Sequence, residues 1–390
     1  MDSKQYSTLM DALKEIPDPR KRRGKRYTWL HLLTILVAGL ASGYQSARAI
    51  AQWALLHADE LRQHLPDLHR LPSESTVLRT MRQLDGPALD RLFSTYTAAL
   101  PTAAEHAGCI ITLQGELLQG QALDGKTVRG ASAHGDKTHL VSLVQHGSAV
   151  TLAQTEVATK QNEITAAPAL LRGRDLHGTV TTGDALLTQR TQAQLIRAQD
   201  GHFLMIVKRN QRQLWEDLDL LFRIPAIPAD QEVWDQITTI TKGHGRLETR
   251  TLECGTGLIE VLDWPGVAQV MRRTCERLVM KSGKRSAEVT YGITSLPPSE
   301  GGAAQLEALW RGHWTIENRK HYVRDVTMGE DHNQIHSGDA PRALASLRSG
   351  LIDLWRWKGW TNIADAIRDC SASVQRTLAL IGAIPDPTLT

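Results

Sequence analysis

The sequence is poor in cysteine, aromatic residues, long apolar runs and surplus charge. Four cysteines stand in 390 residues (Cys109, Cys254, Cys275 and Cys370), with no C-x-x-C pair and no histidine at zinc-finger spacing from two of them. That excludes a disulfide framework and a zinc module, and reduced thiols in a cytosolic protein are the expectation. The longest apolar run, Trp29 to Ala41, is broken by His31 and Thr34 and is too short to span a bilayer comfortably. A basic run precedes it, as in a signal peptide, but begins twenty residues in, behind a polar and partly acidic stretch, so a buried helix is expected there. Net charge is only +3, too little to mark a nucleic-acid binder, although 32 of the 45 basic residues are arginine. Aromatic residues make up 5%, and there is no internal repeat or low-complexity tract.

What is present is ordinary globular material: 41% hydrophobic and 22% charged residues, in a length that suits two or three domains. Residues 1–110 read as helices. Leu32, Leu33, Leu36, Val37 and Leu40 recur at helical spacing, as do Ile50, Trp53 and Ala54, and Ser73 is placed to cap a further helix. Either a helix-turn-helix or a plain helical bundle fits. From residue 111 to 222 the pattern alternates. A strand Gln121–Gly125 ends in a turn, and a hairpin joins His139–Val144 to Ala149–Val157. Helix Glu163–Arg172, strand Thr179–Asp184, helix Thr188–Ala198, strand His202–Lys208 and helix Leu214–Leu221 follow. This order predicts a mixed α/β sheet. Residues 223–295, with Pro225, Pro228 and Pro265, read as a mostly β insertion. Residues 296–390 read as a strong helix to about Val326 and a basic helical tail bearing Arg342, Arg348, Arg356 and Lys358.

Three acids fall on these elements: Asp124 and Asp184 at strand ends, and Glu317 within the long helix. Asp124 and Asp184 are 60 residues apart and Glu317 lies 133 further on, so only a fold can join them. On that helix Trp310, His313, Glu317 and Arg324 share one stripe, and Leu309, Ile316 and Val323 form an apolar stripe beside it. A carboxylate flanked by such groups suits a polyanionic substrate and a metal. Each acid also has a plain structural role available: Asp124 in a turn, Asp184 as a helix cap, Glu317 as a solvated helix residue. Asp325 and the pair Glu330-Asp331 are competing carboxylates.

Longer motifs narrow the choice. Leu123-Asp-Gly-Lys-Thr-Val-Arg-Gly130, Lys160-Gln-Asn-Glu-Ile164, Thr182-Gly-Asp-Ala-Leu-Leu-Thr-Gln189 and Val207-Lys-Arg-Asn-Gln211 occur in order. Gly243-His-Gly-Arg-Leu-Glu-Thr-Arg250, Tyr291-Gly-Ile-Thr-Ser-Leu296 and Arg311-Gly-His-Trp-Thr-Ile-Glu-Asn318 follow. Together they resemble the ISAs-type insertion-sequence transposases, the family that includes the H-repeat-associated proteins, over nearly the whole chain. The resemblance implies a DDE transposase with an RNase H-like catalytic domain. In it Asp124, Asp184 and Glu317 would bind two Mg²⁺ or Mn²⁺ ions, and residues 223–295 would be the β insertion between the second Asp and the Glu. Where the broader group carries Tyr, Arg, Glu and Lys, this chain has Trp310, His313, Glu317 and Arg324. His313 departs from the Arg of that pattern, and Arg311 is the substitute phosphate ligand.

The resemblance further implies cleavage at element ends followed by strand transfer. Its partners would be double-stranded DNA, terminal inverted repeats and target DNA, bound by a homodimer in the cytoplasm at the nucleoid, with no membrane involved. A DNA-binding protein derived from a transposase and a plain metal-dependent nuclease are the alternatives. Candidate DNA contacts are Lys126, Arg129, Arg311, His313, Arg324, His244, Arg246 and the run Arg20, Lys21, Arg22, Arg23, Lys25 and Arg26. Glu163 is placed to position Lys160 or a metal-bound water. Trp234 and Trp264 suit either base stacking or core packing, and Arg272, Arg273, Arg277, Lys281, Lys284 and Arg285 form a second basic cluster.

Overall fold

The computed structural model describes residues 6–21, 25–99, 107–129, 138–157, 162–223, 233–257, 259–260 and 262–385. Arg22, Arg23 and Lys160 lie outside the described residues.

The N-terminal region is helical: α1 (Leu9–Leu13), α2 (Trp29–Ala41), α3 (Ala47–Leu56), α4 (Ala58–His64), α5 (Glu74–Gln83) and α6 (Gly86–Ala99). Thr28 and Ser46 cap α2 and α3 through their hydroxyls, which accept the amides of His31 and Ala49. Ser73 holds the cap position of α5, but its hydroxyl contacts those of Ser75 and Thr76 instead of a backbone amide. In α2 every residue from Leu32 to Ala41 is buried. A helix apolar all round belongs at the centre of a bundle, and that accounts for the run that imitated an export signal.

The sheet follows: β1 (Cys109–Ile111), β2 (Leu117–Thr127), β3 (His139–Gln145), β4 (Thr151–Glu156), α7 (Glu163–Leu171), β5 (Thr179–Gly183), α8 (Arg190–Ala198), β6 (His202–Val207) and α9 (Arg212–Leu221). Four longer strands complete it: β7 (Trp234–Gly243), β8 (Arg246–Gly255), β9 (Gln269–Val279) and β10 (Arg285–Thr294). The order across the sheet is β4-β3-β2-β5-β6-β10-β9-β8-β7, with β1 on β2, ten strands in all among the described residues. β2, β5 and β6 are parallel and their neighbours antiparallel, the mixed RNase H-like arrangement that was expected. The β insertion does not stand apart: β10 pairs with β6 from Tyr291↔Val207 to Thr294↔Leu204, so the meander extends the central sheet.

Strand alternation assigns the two faces. Leu123, Val141, Leu143, Phe203 and Ile293 pack with Leu171 of α7, Ile196 of α8 and Leu218 of α9. The opposite face carries Val180, Leu204 and Met271 against Leu306, Leu309 and Trp310 of α10 (Ala303–Gly312). α10 runs on through the single turn α11 (Trp314–Ile316) into two wide turns, Glu317–His321 and Val323–Thr327. In them amides reach back five residues, Tyr322 to the Glu317 carbonyl and Met328 to that of Val323.

The chain ends in α12 (Ala340–Trp357), α13 (Ile363–Ala372) and α14 (Val374–Leu380). The basic tail expected here divides, with Lys358 exposed, Arg356 half-buried and the two earlier arginines interior. Leu344, Leu347, Leu351 and Trp355 share one core with α1–α6, and Arg342 and Arg348 are 4% and 1% exposed. Arg342 bonds to Asp90 and Ser346, and Arg348 faces Glu330 at 3.6 Å. The charges are tolerable there because each has a partner.

Candidate metal centre

The parallel register decides the site. β2 and β5 pair with a constant offset of 60 residues, from Gln119↔Thr179 to Leu123↔Gly183. One step further along each strand stand Asp124 and Asp184, so the offset that had no local meaning is the strand register itself. Asp124 does not end a strand in a turn, as its Asp-Gly sequence predicted: β2 continues to Thr127, with Asp124 opposite Ser142 of β3. The glycine serves another purpose. A Cβ on Gly125 would lie 2.2–2.5 Å from the Glu163 carboxylate, which therefore packs on the face of β2 opposite the Asp124 side chain and not in the expected place beside a metal-bound water. Glu163 accepts from His139 at 2.7 Å, and the other ring nitrogen of His139 meets the Thr127 hydroxyl at 2.8 Å.

Glu317 reaches the same place from the helix. Ligand atoms of Asp124, Glu317 and His321 all lie within 4.8 Å of one another. His321 Nδ1 is 3.6 Å from Asp124 and 3.7 Å from Glu317. Asp184 is not in that close group. Its Oδ1 accepts the amides of Leu186 and Leu187, both at 3.0 Å. It is still near enough for its charge to act on Asp124, whose pKa is raised by burial, by Glu317 and by Asp184, in that order. The pKa of Glu317 is lowered, chiefly by the His321 imidazole beside it. Two carboxylates forced together, one of them buried, are a donor set that a divalent cation fits: its charge offsets the burial and the repulsion that raise the Asp124 pKa.

A buried polar layer supports the acids. Thr182 of β5 gives its hydroxyl to the Gln121 carbonyl at 3.2 Å and meets His313 Nδ1 and His146 Nε2, each at 3.0 Å. Burial pushes the two imidazoles down to about 4 and about 3, so both are neutral. Gly312 lets the helix approach, since a Cβ there would lie 2.2 Å from His146 Nδ1.

The candidate DNA contacts divide. Arg311 is exposed at the end of α10. Arg129 is 79% exposed and faces Asp331 at 3.7 Å. His244 and Arg246 are exposed at the β7–β8 hairpin, at the far edge of the sheet from β2. His313 and Arg324 share no open stripe with Glu317. His313 is buried in the threonine layer, and Arg324 is fully buried with bonds of 3.1 and 2.7 Å to Glu330. The wide turns explain the second departure, because a five-residue reach advances the helix phase and the 3.6-residue reading fails beyond Glu317. Lys126 is buried and bonded to Asp325. Arg20 and Lys25 both pair with Asp18 at 2.8 and 2.6 Å, while Lys21 and Arg26 are exposed. In the second basic cluster Arg272, Arg273 and Arg277 pair with Glu253, Glu307 and Glu288. Trp234 packs edge-on against Phe222, and Trp264 lies under Arg190.

Two features escaped the sequence reading. His321 carries no motif signal beyond its place four residues after Glu317. Trp314, Asn318, Tyr322 and Val326, four apart, face outward beside the acids, with Trp314 54% and Tyr322 57% exposed.

Comparison with known proteins agrees with this geometry. A family model described as Transposase DDE domain matches residues 116–352, and one described as DDE_Tnp_1-associated matches residues 10–97. The chain is 27% identical over 354 residues to "Putative transposase YncI" of Escherichia coli O157:H7, covering 90% of this chain and 87% of that one. It is 25% identical to "H repeat-associated putative transposase YhhI" of E. coli K12, with 89% of each covered. It is 31% identical to an uncharacterized protein in the dhlA 3′ region of Xanthobacter autotrophicus over 72% of this chain and 92% of that one. With the domain match spanning more than half the chain, the protein belongs to the DDE transposase family.

Proposed function

We propose that this chain cuts DNA at the ends of an insertion element and joins the freed 3′ ends to target DNA. Asp124, Asp184 and Glu317 would hold two divalent cations, Mg²⁺ or Mn²⁺. The observation that carries the reading is the parallel register bringing Asp124 and Asp184 abreast, with Glu317 set against Asp124 from the covering helix. Bound cations would supply charge neutralisation and activation of an oxygen nucleophile for in-line phosphodiester displacement.

The chain's own residues do the rest. Asp124 is held in the middle of a paired strand, so its position does not depend on a loop. The His146–Thr182–His313 layer ties β5 to the helix and fixes the depth at which Glu317 enters. Arg311 and Arg129 are placed to take backbone phosphates, which are best met by exposed guanidinium groups. Trp314 and Tyr322 offer flat faces to bases unpaired at a cleaved end. Glu163, bonded to His139, fills the space that Gly125 leaves on the far face of β2 and steadies the strand that carries Asp124. The family likeness supports two copies acting on paired ends, with terminal inverted repeats and target DNA as substrates.

The test is purified protein with labelled element ends in Mg²⁺ or Mn²⁺. Nicked and joined products are expected, and Asp124→Asn or Glu317→Gln should reduce both by about 10²–10⁴-fold, the worth of several kcal/mol of transition-state charge stabilisation. Unchanged activity in Asp124→Asn refutes the site. Cutting without joining favours a plain nuclease. Binding without cutting on any end sequence favours a DNA-binding protein.

A further inference from the structure

We propose that His321 is a direct ligand of the cation held by Asp124 and Glu317, making the centre a mixed oxygen–nitrogen site that favours Mn²⁺ over Mg²⁺. The proposal rests on the reading of those two acids as a metal-holding pair and adds a residue that reading does not contain.

The distances carry it. Nδ1 of His321 stands 3.6 Å from Asp124 Oδ2 and 3.7 Å from Glu317 Oε2. Both separations exceed the length of a good N–H···O bond, about 2.7–3.2 Å. On a six-coordinate ion, bonds of about 2.1 Å put neighbouring donors about 3.0 Å apart and opposite ones about 4.2 Å apart, so both separations fall inside the span of one ion and a closing shift of about half an ångström would make these donors neighbours. The three ligand atoms, all within 4.8 Å of one another, are thus grouped closely enough to share one ion.

The ring is held in place for this. His321 is 6% exposed, and Nδ1 is the nitrogen that faces both acids. With an ion on Nδ1 the ring proton sits on Nε2, which is buried and engaged by no other side chain among the described residues, so nothing there draws Nδ1 away from the acids.

The fold explains why this residue is there. The wide turn Glu317–His321 sets the imidazole against Glu317 while keeping it over β2, where Asp124 lies. Asp184, which the three-acid reading puts in the same shell, has Oδ1 committed to two amides of the following turn. An imidazole is a poor ligand for Mg²⁺, which prefers oxygen, and a better one for Mn²⁺, so the nitrogen shifts selectivity between the two ions.

Full-length protein should be titrated with Mn²⁺ and studied by pulsed electron paramagnetic resonance, with natural histidine and with ¹⁵N-histidine. Expected is a directly coordinated histidine nitrogen whose modulation changes with ¹⁵N-histidine labelling. In His321→Gln that signal should vanish while Mn²⁺ still binds, about tenfold or more weakly, and Mg²⁺ affinity should fall less. Thermal unfolding without metal checks that the variant is folded. If it is not, the ¹⁵N-histidine spectrum of the native protein decides. Mn²⁺ binding that depends on Asp124 but shows no histidine coupling overturns this proposal and leaves the acid pair standing. Coupling that persists in folded His321→Gln also overturns it. No Asp124-dependent Mn²⁺ binding overturns both.

Discussion

At the scale of single residues, partners decide what each charge does. Arg324 looked like a phosphate ligand in the helix stripe, yet Glu330 holds it in the interior with Arg348 alongside. Arg324→Ala should therefore destabilise the protein by about 3–5 kcal/mol, because it leaves Glu330 buried with its main partner gone. Urea unfolding of the variant measures this, and a loss below about 1 kcal/mol would show that the pair is not structural. His146 makes a pH prediction. In the fold its pKa is pushed down to about 3, against 6.5 for the ordinary group. Between those values the unfolded chain takes up a proton that the folded chain refuses. Stability should thus fall as pH drops below about 6.5, by up to about 1.4 kcal/mol per pH unit from this residue, and be indifferent to it at higher pH. Denaturation midpoints from pH 8 to pH 4 test it, with His146→Gln expected to flatten the slope. His313, also buried and neutral, adds a slope of the same sign.

At the scale of elements, the covering helix is the sensitive part. It lies against β2 and β5 only because Gly312 has no side chain where His146 sits. Gly312→Ala should cost about 1–3 kcal/mol through forced displacement of a buried ring, even though alanine is the better helix former. A calorimetric Tm that rises instead would mean that helix propensity outweighs the contact. Most elements were legible from period and punctuation. The helices Glu163–Leu171 and Arg190–Ala198 and the strands Thr179–Gly183 and His202–Val207 lie within two residues of their expected bounds. The helix beyond Glu317 was not legible, since the five-residue reach of its backbone bonds depends on what it packs against. The same is true of Asp124-Gly125. Asp-Gly ordinarily marks a turn, and only pairing with β3 keeps it extended.

At the scale of the whole molecule, the two ends of the chain are one body. α12 is buried along nearly its full length against α2, α5 and α6, and Asp353 within it accepts the Thr151 amide at 3.0 Å and pairs with Lys320. The C-terminal helix thus bolts the N-terminal bundle to β4 and to the helix that carries Glu317. A chain ended at residue 339 should lose the helical bundle as well as the tail. Circular dichroism should show less helix than the deleted residues account for, and a cooperative transition at the native Tm would refute the coupling. Periodicity alone could not show this, because an arginine-rich helix reads as a surface whenever its buried carboxylate partners are distant in sequence.

The amino-acid order by itself determined the local elements and the mixed α/β class and singled out three candidate acids, because side-chain period and turn residues act over a few positions and the motifs fall in sequence order. Tertiary structure alone decided that Asp124 and Asp184 stand abreast, that His321 joins Asp124 and Glu317, and that Arg324, Arg342 and Arg348 are interior. Those outcomes depend on strand register, on the phase of a packed helix and on pairing between distant charges. Each is a property of surfaces in contact, which no short window of sequence contains.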